Sequence, residues 1–314
     1  MYIYIYICVY LCVTSTYHFH TTSTMAASNN KHQFSILIIN PNTSTHVTDA
    51  LKPILENLQY PDAHFDYFTA PSREAIALPD GRLVHGVPSI NSGEDSAQSA
   101  LHCRPFVEPL VPEYDAFLVA CYSAHPLVGM LKEGIGKHEE ANTGARRKYV
   151  TGIFEASIFT ALSLISSFQL TGDSPGSHKA QAQDTFGIVS TGSIWETELS
   201  NAVRNMLGSD GKTSTTSPRF TGVATTGLTA VELHTTPSEK VRQRISDATE
   251  RLIRGTSNPV DAICMGCAGM AGMEEAVREG CIRAYGKQQG NRVRIVDGVV
   301  AGAGMLVTAS KAGF

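Results

Sequence analysis

The run Phe34-Ser35-Ile36-Leu37-Ile38-Ile39-Asn40 is rich in β-branched residues and shows no alternation of polar and apolar positions. A strand exposed on one face alternates, whereas a strand without alternation needs cover on both faces. Covering both faces of a sheet takes helices in front and behind, which commits the chain to parallel strands joined through helices. The rest of the sequence keeps that rhythm. Strand-like runs recur at 64–70, 114–121, 185–192, 220–227 and 259–267. Helical patterns fill 45–58, 94–111, 125–135, 193–207 and 236–255. Pro53 interrupts the first of these, Pro126 fits the first turn of the third, and Ser238 is the expected N-cap of the last. Two stretches read as loops: 71–93, long enough to suspect a functional role, and the polar segment 171–183.

The pattern is also twofold. A strand–Cys–helix unit at 114–131 is echoed at 259–279, so Cys121 and Cys267 each end a strand. Ligands of open parallel sheets sit beyond the carboxyl ends of the strands. The expected fold is therefore α/β, with two similar Rossmann-like domains, parallel sheets and the active site in the cleft between them. Residues 34–150 with 298–314 are expected to form one domain and 151–297 the other. Residues 1–33 are expected to be a disordered tail or a mis-assigned start. "MYIYIYICVYLCV" is apolar for too few residues to span a bilayer, and Met25 opens an ordinary soluble start.

Composition removes whole classes of function. Net charge is −4 and no basic cluster exceeds Arg146-Arg147-Lys148, which argues against a nucleic-acid partner. Seven scattered cysteines, an odd number in 314 residues, favour free thiols in a reducing, cytoplasmic compartment over a disulfide framework. No membrane partner is expected.

A helix N-terminus offers positive potential and free N–H groups, which lower a thiol's pKa. Gly266, Ala268 and Gly269 leave room for a substrate to approach the backbone. Two thiols on opposite walls can take a proton from one face of a carbon and return one to the other. The plainer alternatives are a buried structural thiol and, for Cys264-Met265-Gly266-Cys267, a redox or metal pair. Cys103, Cys264 and Cys281 are read as structural. His125 is read as a surface residue at a helix start, with pairing to the Cys121 thiolate as the alternative. Glu155 reads as a helix-dipole partner and Trp195 as packing.

The chain resembles the Asp/Glu/hydantoin racemase superfamily, in particular its hydantoin/allantoin branch and fungal relatives. The carriers are "INPNTS" at 39–44, "GVPSINSGEDSA" at 86–97, "ACYSAHPL" at 120–127, "GIFEAS" at 152–157, "FGIVSTG" at 186–192, "GCAGM" at 266–270 and "VDGVVAG" at 296–302. The resemblance implies catalytic Cys121 and Cys267. It implies substrate contacts from Asn42, Thr43, Tyr122, Ser123, Ser190 and Thr191, with Ala268 and Gly269 beside the second thiol. It further implies a small-molecule substrate, no cofactor, no metal and a homo-oligomer. Amino-acid racemases of the superfamily follow the first cysteine with Asn-Thr and the second with Thr-His or Thr-Glu. Tyr122-Ser123 and Ala268-Gly269 stand here instead, which argues against free aspartate or glutamate. The implied activity is cofactor-independent racemisation of allantoin or a 5-substituted hydantoin. The alternative is a small-molecule-binding or nucleophilic-cysteine isomerase or lyase member of the superfamily.

Overall fold

The structure is a computed structural model that describes residues 34–208 and 217–314. The expected tail, 1–33, lies outside the described residues. The chain runs β1 (Phe34–Asn40), α1 (Thr45–Glu56), β2 (Ala63–Thr69), β3 (Ala75–Ala77), β4 (Leu83–His85), α2 (Gly93–Val107), β5 (Ala116–Val119), α3 (Pro126–Ala141), β6 (Tyr149–Gly152) and α4 (Ile153–Leu164). It continues with β7 (Phe168–Leu170), β8 (Lys179–Gln181), β9 (Thr185–Ser190), α5 (Ile194–Met206), β10 (Phe220–Thr225), α6 (Glu232–Thr235), α7 (Ser238–Arg254) and β11 (Val260–Gly266). α8 (Glu274–Tyr285), α9 (Lys287–Gly290), β12 (Arg294–Asp297) and α10 (Gly298–Ala312) follow.

Two four-stranded sheets result, ordered β2-β1-β5-β6 and β10-β9-β11-β12. Every pairing within them is parallel. Counting each sheet's strands in chain order, both read second-first-third-fourth. The first and third strands are therefore neighbours whose following segments leave in opposite directions, and a crevice opens at their carboxyl ends. Cys121 follows the third strand of one sheet and Cys267 the third strand of the other. The repeat seen in the sequence thus has a topological basis.

β1 is covered on both faces, as its composition demands. Ile36 and Ile38 share an inner core with Leu118, Phe154, Phe186, Cys264 and Val299. Leu37 and Ile39 face outward onto Phe117, Val119, Leu127 and Leu131. A third cluster lies beneath α7 and α8 and includes Ile245, Ile263, Met265 and Val277. The inner core draws on both sheets, with α4 and α10 packed together inside it.

Three expectations need correction. Segment 71–93 contains the antiparallel hairpin β3–β4, and 171–183 contributes β8 of a second hairpin with β7; both are short, so their alternation spans too few residues to show. Ser238 is the first residue of α7, preceded by Pro237 at the cap, and makes no capping hydrogen bond. After Cys267 the chain makes only a single 3₁₀ turn, Ala268–Met270, before α8 begins at Glu274. Gly272, at φ 83°, breaks the path between them.

Candidate active site

The loop after β1 is built from its own asparagines. Asn40 Nδ2 donates to the Ser44 carbonyl and to Thr48 Oγ1, each at 3.0 Å, while its Oδ1 accepts from the Asn42 N–H at 3.2 Å. Asn42 Oδ1 accepts from the Ser44 N–H at 2.9 Å. Ser44, at the cap position of α1, makes no side-chain capping bond; its hydroxyl donates to the Pro88 carbonyl at 2.6 Å. These bonds fix the loop at the crevice and turn Asn42 toward the opposite sheet's turn.

Gly266 is required by close packing. A Cβ there would lie 2.8 Å from Ser190 Cβ and 2.8 Å from the Val189 carbonyl. Ser190, itself fully buried, donates to the Gly266 carbonyl at 2.7 Å. β11 is thereby held against β9 at the point where Cys267 emerges.

The two halves meet around a cavity of about 40 Å³. Asn42, Val47, Ile90, Ala120, Cys121 and Tyr122 line it from one side. Thr191, Trp195, Ala230 and the segment Gly266–Gly269 line it from the other. Both cysteines are partly buried and free. Such a volume holds water but falls well short of the roughly 300–1,000 Å³ of ligand pockets. The cleft is narrow, and a ring-sized ligand has to widen the space between the two walls. None of the described lining residues is Asp, Glu, Lys, Arg or His.

Burial reverses the expected state of the thiols. It pushes Cys121 up to about 12, against the hydrogen bond from Ser123, and the neighbouring Cys267 and Glu155 push in the same direction. It pushes Cys267 up to about 11, against the N–H groups of Gly269 and Met270. A helix end alone would favour thiolate, yet with these values both sulfurs are protonated at neutral pH. Desolvation by the surrounding core outweighs the local donors at both sulfurs. At Cys267 one 3₁₀ turn also replaces the helix whose dipole was expected to help.

Asn42, Cys121, Tyr122, Thr191, Cys267, Ala268 and Gly269 come together at the cavity. Tyr122 turns its hydroxyl away, to Ser157 Oγ at 2.8 Å, with its ring edge-on to Phe154. Ser123 stands behind the first thiol, 3.5 Å from Cys121 Sγ and 3.2 Å from Ser96 Oγ. Ser190 is spent on the backbone, and Thr43 anchors its N–H on the Val87 carbonyl. Trp195, read as packing, is core and cavity wall together. Val47, Ile90 and Ala230 carried no sequence signal, since an apolar wall residue looks like any core residue.

His125 is not a surface residue. It is 2% exposed and caps α3, its Nδ1 accepting from the Leu127 N–H and its Nε2 bonded to Ser99 Oγ at 3.0 Å. Burial holds its pKa down at about 3, so the ring is neutral. Cys264 lies in the inner core with its sulfur on the Ser157 carbonyl at 3.5 Å, and it forms no disulfide with Cys267. Glu155 is held above the usual carboxylate range by burial, and its Oε2 has no hydrogen-bond partner. No group of residues with metal-binding geometry occurs among the described residues, nor any helix long and apolar enough to cross a membrane.

Comparison with known proteins places this architecture. A family model described as Asp/Glu/Hydantoin racemase matches residues 36–306. An uncharacterized protein of Schizosaccharomyces pombe is 30% identical over 273 residues, covering 87% of this chain and 90% of the relative. Protein DCG1 of Saccharomyces cerevisiae is 23% identical over 248 residues, 76% and 84% of the two chains. Among solved structures, allantoin racemase from Pseudomonas fluorescens superposes with a TM-score of 0.61 at 21% identity, over 89% of this chain and 92% of that one. Allantoin racemase from Klebsiella pneumoniae gives 0.59 at 20% identity, over 90% and 89%. These likenesses establish the fold, and the match over 36–306 establishes the kinship: the chain belongs to the Asp/Glu/hydantoin racemase family.

Proposed function

We propose that the protein is a cofactor-independent racemase of a hydantoin-type ring, allantoin or a 5-substituted hydantoin, in which Cys121 and Cys267 remove and return the proton at the stereocentre. The observation that carries this reading is a cavity with a thiol on each wall and no formally charged side chain in its described lining. An α-amino acid brings a carboxylate and an ammonium, and burying either without a partner is costly. A hydantoin ring is uncharged at the stereocentre and asks only for hydrogen bonds, for which Asn42 and Thr191 bring polar side chains to the lining. The ring carbon is acidified by its neighbouring carbonyl, so the thiolate of one cysteine takes its proton while the thiol of the other donates. A thiol of pKa about 11 is ionised at neutral pH in only about one molecule in 10⁴. It is then a correspondingly stronger base than an ordinary thiolate. Closure of the walls keeps water from the carbanion.

Enantiopure allantoin and 5-substituted hydantoins, incubated with the protein in D₂O, test the reading. The expected result is loss of optical rotation above the uncatalysed rate, with deuterium entering the inverted product. Comparable turnover of L-aspartate or L-glutamate would overturn the substrate class. Inversion without solvent deuterium at low conversion, with thiol exchange allowed for, would overturn the two-thiol scheme. The homo-oligomer expected from the resemblance is measured by light scattering on the same preparation.

A further inference from the structure

Residue 269 has no side chain, and the place a Cβ would take there is bounded by His234 Nε2 at 2.9 Å and Cys267 Sγ at 3.6 Å. An imidazole nitrogen and the cavity thiol thus border the same small gap. His234 comes from α6, which packs on the Ala268–Met270 turn, and α1 packs on that turn from the other half. The His234 ring meets His46 of α1 edge to face, with centroids 5.4 Å apart. Both histidines are exposed to solvent, whereas Cys267 is reached through the cavity. His234 itself lines a surface groove rather than the cavity, so it has solvent on one side and, on the other, the gap at Gly269 with the thiol beyond it.

We propose that His234 is the positioning residue through which Cys267 exchanges its proton with solvent. The proposal rests on Cys267 being an acid–base thiol, as in the reading above. In the step, the S–H bond of Cys267 breaks and the proton forms an N–H bond at Nε2, leaving thiolate beside imidazolium. The imidazolium then releases the proton to solvent in the groove, or returns it. Each two-thiol inversion ends with the sulfurs in protonation states opposite to those at its start. They must be restored before the same enantiomer reacts again, and His234 offers a route that does not pass through substrate.

Burial, and then the neighbouring His46, hold His234 below the ordinary histidine range, so the ring is in its accepting form at neutral pH. The other charged groups around it lie on its outer side. Glu239 and Arg242 of α7 and Glu275 of α8 line a surface groove there. Arg242 is paired with Glu279, and Glu232 of α6 accepts from Thr229.

Iodoacetamide alkylation of Cys267, followed by mass spectrometry of its peptide across a pH series, tests the proposal on the full chain. His234→Asn is expected to react about tenfold more slowly than the parent near pH 6.5, one pKa unit of lost thiolate, and to converge with it near pH 10.5, where hydroxide ionises the thiol unaided. His46→Asn is expected to react faster than the parent at the lower pH, because His234 then holds a proton more readily. Equal rates for His234→Asn and the parent at the lower pH would overturn the proposal. A deficit that persists undiminished at the higher pH would overturn it too, by making His234 a packing residue. No hydantoin enters the measurement, so its outcome is independent of which substrate is turned over.

Discussion

Serine in place of either cavity cysteine leaves a hydroxyl far too weakly acidic to furnish a base near neutral pH. Cys121→Ser and Cys267→Ser are each expected to lose inversion by about 10²–10⁴-fold, the usual cost of one positioned acid or base. Each is expected to keep some exchange of the substrate proton for deuterium, since the remaining thiolate can remove and return hydrogen on its own face. Following optical rotation and deuterium uptake separately checks this; near-normal inversion in a folded variant removes that cysteine from the scheme. Cys264→Ser is expected to act on stability instead, because its sulfur sits in the inner core. The positions of Cys121 and Cys267 were legible because each follows an unmistakable buried strand, and Cys267 also stands between Gly266 and Ala268. Their protonation was not legible, because desolvation depends on packing with residues distant in sequence, such as Val189 and Ile245 around Cys267. His125 shows the same limit. Its place at a helix start was readable, but not that Ser99, 26 residues earlier, would close over it.

Among the elements, α10 depends on one carboxylate. Asp297 Oδ1 accepts from the N–H groups of Val299 at 2.7 Å and Val300 at 3.4 Å, and Oδ2 is buried without a partner. Burial pushes its pKa from 3.8 up to about 6, against those two N–H groups. Between these values the folded chain holds a proton that the unfolded chain has released, so stability falls as pH rises through that window. Asp297→Asn keeps an acceptor for the cap and removes the buried charge. It is expected to be more stable than the parent by about 1 kcal/mol above pH 7, with the gain gone near pH 4. Asp297→Ala loses the cap and is expected to cost about 1 kcal/mol at both. Urea midpoints at the two pH values decide, and an Asn variant weaker than the parent above pH 7 sinks the argument. The long elements were readable because their periodicity runs over many residues. The hairpins β3–β4 and β7–β8, three residues a strand, offer a single alternation each and vanish among polar neighbours. Ser238 misled because serine suits a helix's first turn as well as its cap, and Pro237 took the cap.

At the scale of the whole molecule, the narrow cleft implies motion of one wall against the other as a ring enters. The chain has one tryptophan, and it is 5% exposed on the cavity wall. Titrating a hydantoin into the Cys121→Ser variant is expected to change Trp195 emission saturably; calorimetric binding with unchanged emission would place the ligand elsewhere. The packing of α10 bears on how the molecule comes into being. Gly302 admits Leu118 so closely that a Cβ would lie 2.5 Å from the leucine's Cδ1, and Gly298 lies equally close to the Ile153 carbonyl. α10 also packs on β5 and β6, strands laid down well before it. A growing chain emerges in order at about 5–20 residues per second. The sheet formed by β1, β2, β5 and β6 therefore waits roughly ten to thirty seconds on the ribosome with only α1 and α4 on that face and the place of α10 uncovered. Apolar strands left open for that long are the natural clients of a chaperone. The second sheet, finished only at β12, has almost no such wait, and the halves that look so alike in the finished molecule have unequal histories during synthesis.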